Sequence, residues 1–228
     1  MPSDITLSDI FAFCFFFFSW FSISKLSSRY NLSKDKTSLY IITKSVRNQW
    51  MLRLLNRENR MPDVALLGHL MRSVSFFAST SLLVLASFIT VFGIVEDAIQ
   101  VTYDIPFAQH VSPAFWKLKL LLMVLIFSFV FFKLVWSIRQ YNATIFMVGA
   151  APENTAPEAD KTFYAENLGT VINRASRHFV DGMRGYEYAV AALAWFINPY
   201  LFIISTILVS LVTYRREFAS KTMEAMNK

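Results

Sequence analysis

Hydrophobic residues gather along this chain into four long blocks, and between the blocks the apolar positions recur at helical spacing. The blocks run over residues 7–24, 74–95, 118–138 and 188–212. At about 1.5 Å of rise per residue each is long enough to cross a bilayer as a helix. The pattern predicts an all-α membrane protein: four transmembrane helices in a single integral membrane domain, with residues 25–73 and 139–185 as cytoplasmic loops.

The second block belongs to a longer unit. Pro62 and Asp63 are helix-start signals, and a continuous helix from Asp63 to Glu96 would span about 50 Å, against a hydrocarbon core of about 30 Å. It should project about two or three turns into the cytoplasm, carrying His69 and Arg72. Ser73, Ser75, Ala78, Ser79, Ser81 and Ala86 are small enough to permit close helix approach in lipid.

The loops carry amphipathic helices. Over Leu39 to Leu55, the residues Leu39, Ile42, Val46, Trp50 and Leu54 form one apolar stripe, with Lys44, Arg47, Asn48, Arg53 and Arg57 largely off it. Such a helix suits either the cytoplasmic membrane interface or its own bundle. Lys161 to Met183 repeats the pattern through Tyr164, Leu168, Ile172, Ala175 and Phe179, and is expected to pack on the overhang of the central helix. Tyr141 to Ala150 can extend the third span until the Pro-containing turn after Gly149. Asn198-Pro199, in the middle of the fourth block, predicts a kink.

Composition and charge refine the picture. Of 228 residues 55% are hydrophobic and 17% charged, below the roughly 25% charged of soluble domains. Cys14 is alone, so no intramolecular disulfide forms. The net charge of +6 is read as attraction of the inner loops to anionic lipid, not as nucleic-acid binding. Asp4 and Asp9 precede the first block while Lys25 and Arg29 follow it, which favours a retained anchor over a cleaved signal. Four spans put both termini on one side. With termini outside, the inner loops hold 15 Lys or Arg; the reverse orientation holds six. The positive-inside rule chooses termini outside, against the opposing vote of Arg215 and Arg216.

Candidate chemistry is sparse. Lys133 is the one charge clearly inside an expected span, where it can snorkel to the inner surface or line a path. His69 and His178 would share a metal or haem only if their helices pack together; no Glu-x-x-His pair and no zinc-type Cys/His spacing is present. No nucleophile motif or phosphate-binding glycine loop appears. No cofactor is assigned. If a site exists, it is expected at the cytoplasmic end, among His69, Arg72, Lys133, Arg139, Asn142 and His178.

Several stretches carry a likeness: Arg57-Glu-Asn-Arg60, Leu66 to Thr80, Phe132-Lys133, Trp136-Ser-Ile-Arg139-Gln-Tyr-Asn142, Gly149-Ala-Ala-Pro152 and Tyr214-Arg-Arg-Glu-Phe218. In these the sequence resembles an uncharacterised family of multi-pass membrane proteins from bacteria and plants, domain of unknown function 599. The likeness covers nearly the whole chain. It implies the four-span fold in a bacterial inner membrane, and no activity. From the small-residue faces, the two cytoplasmic amphipathic helices and the lack of a catalytic constellation, the expected function is non-enzymatic: association as a homo-oligomer or as an accessory subunit of a membrane complex. The alternatives are a small channel or transporter using Lys133, Asn142 and Asn198, and a haem- or metal-binding membrane enzyme using His69 and His178.

Overall fold

A computed structural model describes residues 5–29, 31–33 and 36–226; Asp4, Lys34 and Asp35 of the charge pattern lie outside them. The described chain is almost wholly helical. The order is α1 (Leu7–Arg29), a small antiparallel pair β1 (Asn31–Ser33) and β2 (Lys36–Thr37), α2 (Leu39–Leu55), α3 (Met61–Gly93), α4 (Val95–Tyr103), α5 (Pro113–Gly149), α6 (Glu158–Leu193), a 3-10 turn (Ala194–Phe196), α7 (Pro199–Phe218) and α8 (Lys221–Met226).

Local chemistry sets the boundaries. At the start of α1, Thr6 N–H and Thr6 Oγ1–H donate to Asp9 Oδ2, and Asp9 N–H returns a bond to Thr6 Oγ1, a reciprocal cap. Ser38 caps α2 and Ser112 caps α5, each accepting from the backbone N–H three residues on, with Pro113 opening α5. Among the described residues, three helices are long and apolar enough to cross a membrane: Leu7–Ser27, Met61–Gly93 and Pro113–Gly149.

The fourth expected span, 188–212, is divided. Residues up to Leu193 finish α6, and Asn198 with Pro199 starts a new helix: Asn198 Oδ1 accepts from Tyr200 N–H at 2.8 Å, and Pro199 needs no donor there. The proline therefore opens α7 and does not kink a continuous helix. α7 folds back antiparallel to the end of α6. Ser205 Oγ donates to Ala191 O, Tyr188 meets Ser210, Thr213 Oγ1 donates to Glu187, and Arg184 pairs with Glu217.

Helix directions follow from such pairings. α3 is antiparallel to α5, with Arg60 bonded to Ala151 O and Phe88 against Phe127. α5 is antiparallel to α6, with Tyr164 bonded to Met147 O and Lys119 to Trp195 O. α1 is parallel to α7, with Phe16 beside Phe202 and Ser27 beside Glu217. One end of the bundle carries Glu96, Asp97, Asp104 and the 194–198 turn; we call it the acidic end. The other carries α2, the start of α6, Arg215 and Arg216; we call it the basic end. Leu7 stands at the acidic end and Phe218 at the basic end, whereas an undivided fourth span would have put both chain ends on one side.

Two cores fill the bundle. An aromatic one near the acidic end contains Phe16, Trp20, Phe115, Phe127, Tyr188 and Phe202. An aliphatic one near the basic end contains Met51, Leu54, Leu67, Leu134, Leu168 and Ile172. α2 packs on α6, burying Ile42, Met51, Leu54 and Leu55, while Val46 of its expected stripe is exposed. α6 packs chiefly on α5 and α2, where the sequence pattern had paired it with α3; it touches α3 through Phe77, whose ring meets Phe179 and Tyr186.

Candidate functional site

The six residues singled out from the sequence do not form one cluster. Lys133, Arg139 and His178 line a single cavity of about 480 Å³ between α5 and α6, with Phe129, Phe132 and Trp136. Lys133 Nζ binds Asp181 Oδ2 at 3.0 Å. The Arg139 guanidinium lies over the Trp136 ring at 5.7 Å. His178 is half-buried with Nδ1 unpartnered. Burial pushes its pKa below the ordinary imidazole value, and Lys133, Arg177 and Arg174 push the same way against Asp181. His69 and Arg72 instead bond to each other at 3.0 Å on the exposed face of α3. The packing of α6 on α5 and α2 removes the reason to bring His69 to His178. Asn142 is half-buried on α5. Asn198, proposed with Lys133 and Asn142 to line a path, caps α7 at the acidic end.

The basic end has its own organising group, Glu217. One carboxylate oxygen accepts from Ser27 Oγ at 2.7 Å and from Tyr40 N–H at 3.2 Å; the other faces Arg184 Nη2 at 3.2 Å. Arg184 also donates to Ser27 Oγ at 2.6 Å, and Ser38 Oγ donates to Ser27 O. Four helices, α1, α2, α6 and α7, meet on this network. The side chains of Arg184 and Glu217 are 5% and 12% exposed, so the charges are largely removed from water and satisfy one another.

A second group joins α2 to α3. Asp63 is fully buried and accepts from Trp50 Nε1 at 2.7 Å and from Arg57. Arg60 turns the other way and donates to Ala151 O and Pro152 O at the end of α5. Two of the stretches that carried the family likeness, Arg57–Arg60 and Gly149–Pro152, therefore touch. Arg60 supplies donors to carbonyls that no longer have helical partners.

A cavity of about 550 Å³ opens between α2 and the first half of α6. Tyr40, Lys44 and Asn48 line it from α2, and Glu166, Thr170, Asn173, Arg174 and Arg177 from α6. Behind its wall, Arg47 Nε donates to Asn173 Oδ1 at 2.8 Å, and Asn173 Nδ2 donates to Asn48 Oδ1 at 2.7 Å. A Cβ on Gly169 would come within 2.8 Å of Asn48 Oδ1, so a larger residue there would push the Asn48 amide aside. Burial lowers the pKa of Arg47, and its Nη2 is buried without a partner.

None of Glu217, Arg184, Asp63 or the Arg47–Asn173–Asn48 chain was among the sequence candidates. Glu217 and Arg57 did sit inside stretches noted for family likeness, which was the available signal. Asn48 and Asn173 had none, because single amides on two helices show no spacing that joins them. Lys119 is fully buried and donates to Trp195 O at 2.7 Å.

Compared with known proteins, residues 11–222 match a family model described as a protein of unknown function, DUF599. No curated protein and no solved structure matches the chain.

Proposed function

We propose that this chain, which belongs to the DUF599 family of proteins of unknown function, acts without catalysis, by associating within a bacterial plasma membrane with a second copy of itself or with another membrane subunit. The observation that carries the reading is the outer face of α3. α3 packs on α5 along one side, and 17% of its most apolar stretch is buried within the chain, against 44% for α5. The opposite face is exposed and presents Ser79, Ala86, Thr90 and Gly93 on one stripe, interrupted by the single large side chain of Leu83. Small residues on one face let a second helix approach closely in lipid, where packing drives association. The Thr90 hydroxyl is already bonded to Ala86 O, so at that position the stripe offers shape and not a free donor.

In this reading the basic end is cytoplasmic. α2 and the first half of α6 are the amphipathic helices of that side, and α7 returns through the bilayer beside α1 as a further membrane-embedded helix. Two features support it. The 16 residues from Pro199 to Tyr214 carry no charge, and Arg215 and Arg216 follow at the basic end. Arg215 and Arg216 then no longer oppose the positive-inside rule: the N-terminal end of α1 faces outward and the segment after α7 faces inward.

Light scattering coupled to size-exclusion chromatography in a mild detergent tests the association. The parent should run as a dimer or larger, or with a co-purifying subunit, and Ala86→Phe should reduce the assembly to a monomer. A monomeric parent that brings no other protein with it would count against the reading.

A further inference from the structure

Several basic residues of this end are paired with acids: Arg57 with Asp63, Lys133 with Asp181, Lys161 with Glu158, and Arg184 with Glu217. The cavity between α2 and α6 instead gathers cations without such pairs. Lys44, Arg174 and Arg177 line it against one acid, Glu166. Among the described residues, Lys44 and Arg174 have no hydrogen bond or ion pair, and Arg177 lies over the Tyr40 ring at 5.8 Å. Lys44 and Arg174 are exposed at its rim and Arg177 is half-buried, so the three together make the hollow a positive surface to which an anion is attracted.

The amides around the cavity point the same way. Arg47 Nε–H can only donate, so Asn173 must turn its Oδ1 toward it. Asn173 then presents Nδ2 to Asn48 Oδ1. With its oxygen engaged, Asn48 is left with N–H donors to offer the cavity it lines. The chain of bonds thus fixes the sense of the amide, and it is the sense that suits an acceptor-rich, negatively charged guest. Arg47 adds its charge from behind the wall.

We propose that this cavity binds a phosphomonoester, held by Lys44, Arg174 and Arg177 with Asn48 as amide donor. The lining has an excess of two positive charges, and a phosphomonoester carries about −1.5 to −2 near neutral pH. Paired guanidinium groups match phosphate oxygens in geometry as well as charge. A cavity of about 550 Å³ leaves room for what the phosphate is attached to. The same chemistry is offered by a soluble phosphomonoester and by the headgroup of phosphatidic acid. The inference stands apart from the association reading, since α2 and α6 lie away from the exposed face of α3.

Isothermal titration of the full chain in detergent distinguishes the sources. Inorganic phosphate is titrated alone, then short-chain phosphatidic acid, then short-chain phosphatidylglycerol, whose phosphodiester carries one charge. Saturable binding of phosphate and of phosphatidic acid alike assigns a site open to solution. Binding of phosphatidic acid without phosphate assigns a lipid headgroup. Either supports the proposal. In both cases the Lys44→Gln/Arg174→Gln variant should bind about tenfold or more weakly, since a charged hydrogen-bond partner contributes on that order. Those side chains hold nothing else in place, so the variant should keep the parent's melting temperature. Gly169→Ala, which displaces the Asn48 amide without removing a charge, should also weaken binding. The proposal fails if neither phosphate nor phosphatidic acid binds the parent, if phosphatidylglycerol binds as tightly as phosphatidic acid, or if the double variant binds as the parent does.

Discussion

Removing the carboxylate of Glu217 should cost more stability than removing any other single charge at the basic end. The group accepts from Ser27 and from the Tyr40 backbone and pairs with Arg184. In Glu217→Ala the Arg184 guanidinium, 5% exposed, keeps only the Ser27 hydroxyl. Taking one partner from a buried ion pair typically costs about 3–5 kcal/mol, most of it the penalty of the charge left behind. For a chain of this size about 2–4 °C of melting temperature accompanies each kcal/mol, so the fall should be roughly 6–20 °C. Glu217→Gln retains an acceptor for Ser27 and should lose about half as much. The decisive measurement is the double variant. Arg184→Met with Glu217→Leu removes both charges, and well-packed apolar replacements for a buried pair are often neutral. Its loss should therefore be much smaller than the two single losses combined. Thermal unfolding in one fixed detergent, followed by the fraction that still elutes as folded protein, reads all four states. A fall of under about 2 °C in Glu217→Ala, or single losses that simply add in the double variant, would refute the reasoning.

Two further outcomes are expected. His178 has a pKa held below its ordinary value of about 6.5 by burial and by Lys133, Arg177 and Arg174. The unfolded chain therefore takes up this proton first as pH falls, so stability should be full above about pH 6.5 and decline below it. Melting temperatures from pH 7.5 to 5 should show a shallower decline in His178→Gln than in the parent, and equal slopes would contradict this. For orientation, single cysteines introduced in a Cys14→Ala background should differ toward a membrane-impermeant maleimide. Gln100→Cys should label in intact spheroplasts, and Thr222→Cys only after permeabilisation; labelling of both at once would overturn the arrangement.

Much of the helix layout was legible because hydrophobic periodicity and caps are local. α2 begins and ends where its stripe and its Ser38 cap place it. The fourth block was misread because periodicity carries no sign of direction. Apolar residues continue on both sides of Asn198-Pro199, so a chain reversal and a kink give the same pattern. The residues that distinguish them, an Asn cap followed by Pro, were present and pointed to a new helix. The two lysines show the other limit. Lys133, which looked most deeply placed, is 27% exposed and paired, whereas Lys119 is buried because the 194–196 turn lies against it from 76 residues away. The candidate site was partly legible for the same reason. His69–Arg72 follows from helix spacing, and Lys133, Arg139 and His178 converge because α5 and α6 are antiparallel. The α2–α6 cavity depends on Gly169 and on amides far apart in sequence, which no local pattern connects.

The pairing of α1 with α7 sets an order in time. The Ser27 hydroxyl and the Glu217 carboxylate are 190 residues apart, and Phe16 and Trp20 likewise rest on Tyr188 and Phe202. At a synthesis rate of about 5–20 residues per second, the first helix waits roughly 10–40 s for the partner that covers its aromatic face. Until α7 is made, the side of Phe16 that Phe202 will cover stays open to lipid or the insertion machinery. A nascent chain stopped before Pro199 should therefore hold α1 only against Phe129, Tyr188 and Trp195, and α7, among the last helices made, completes the packing of the first.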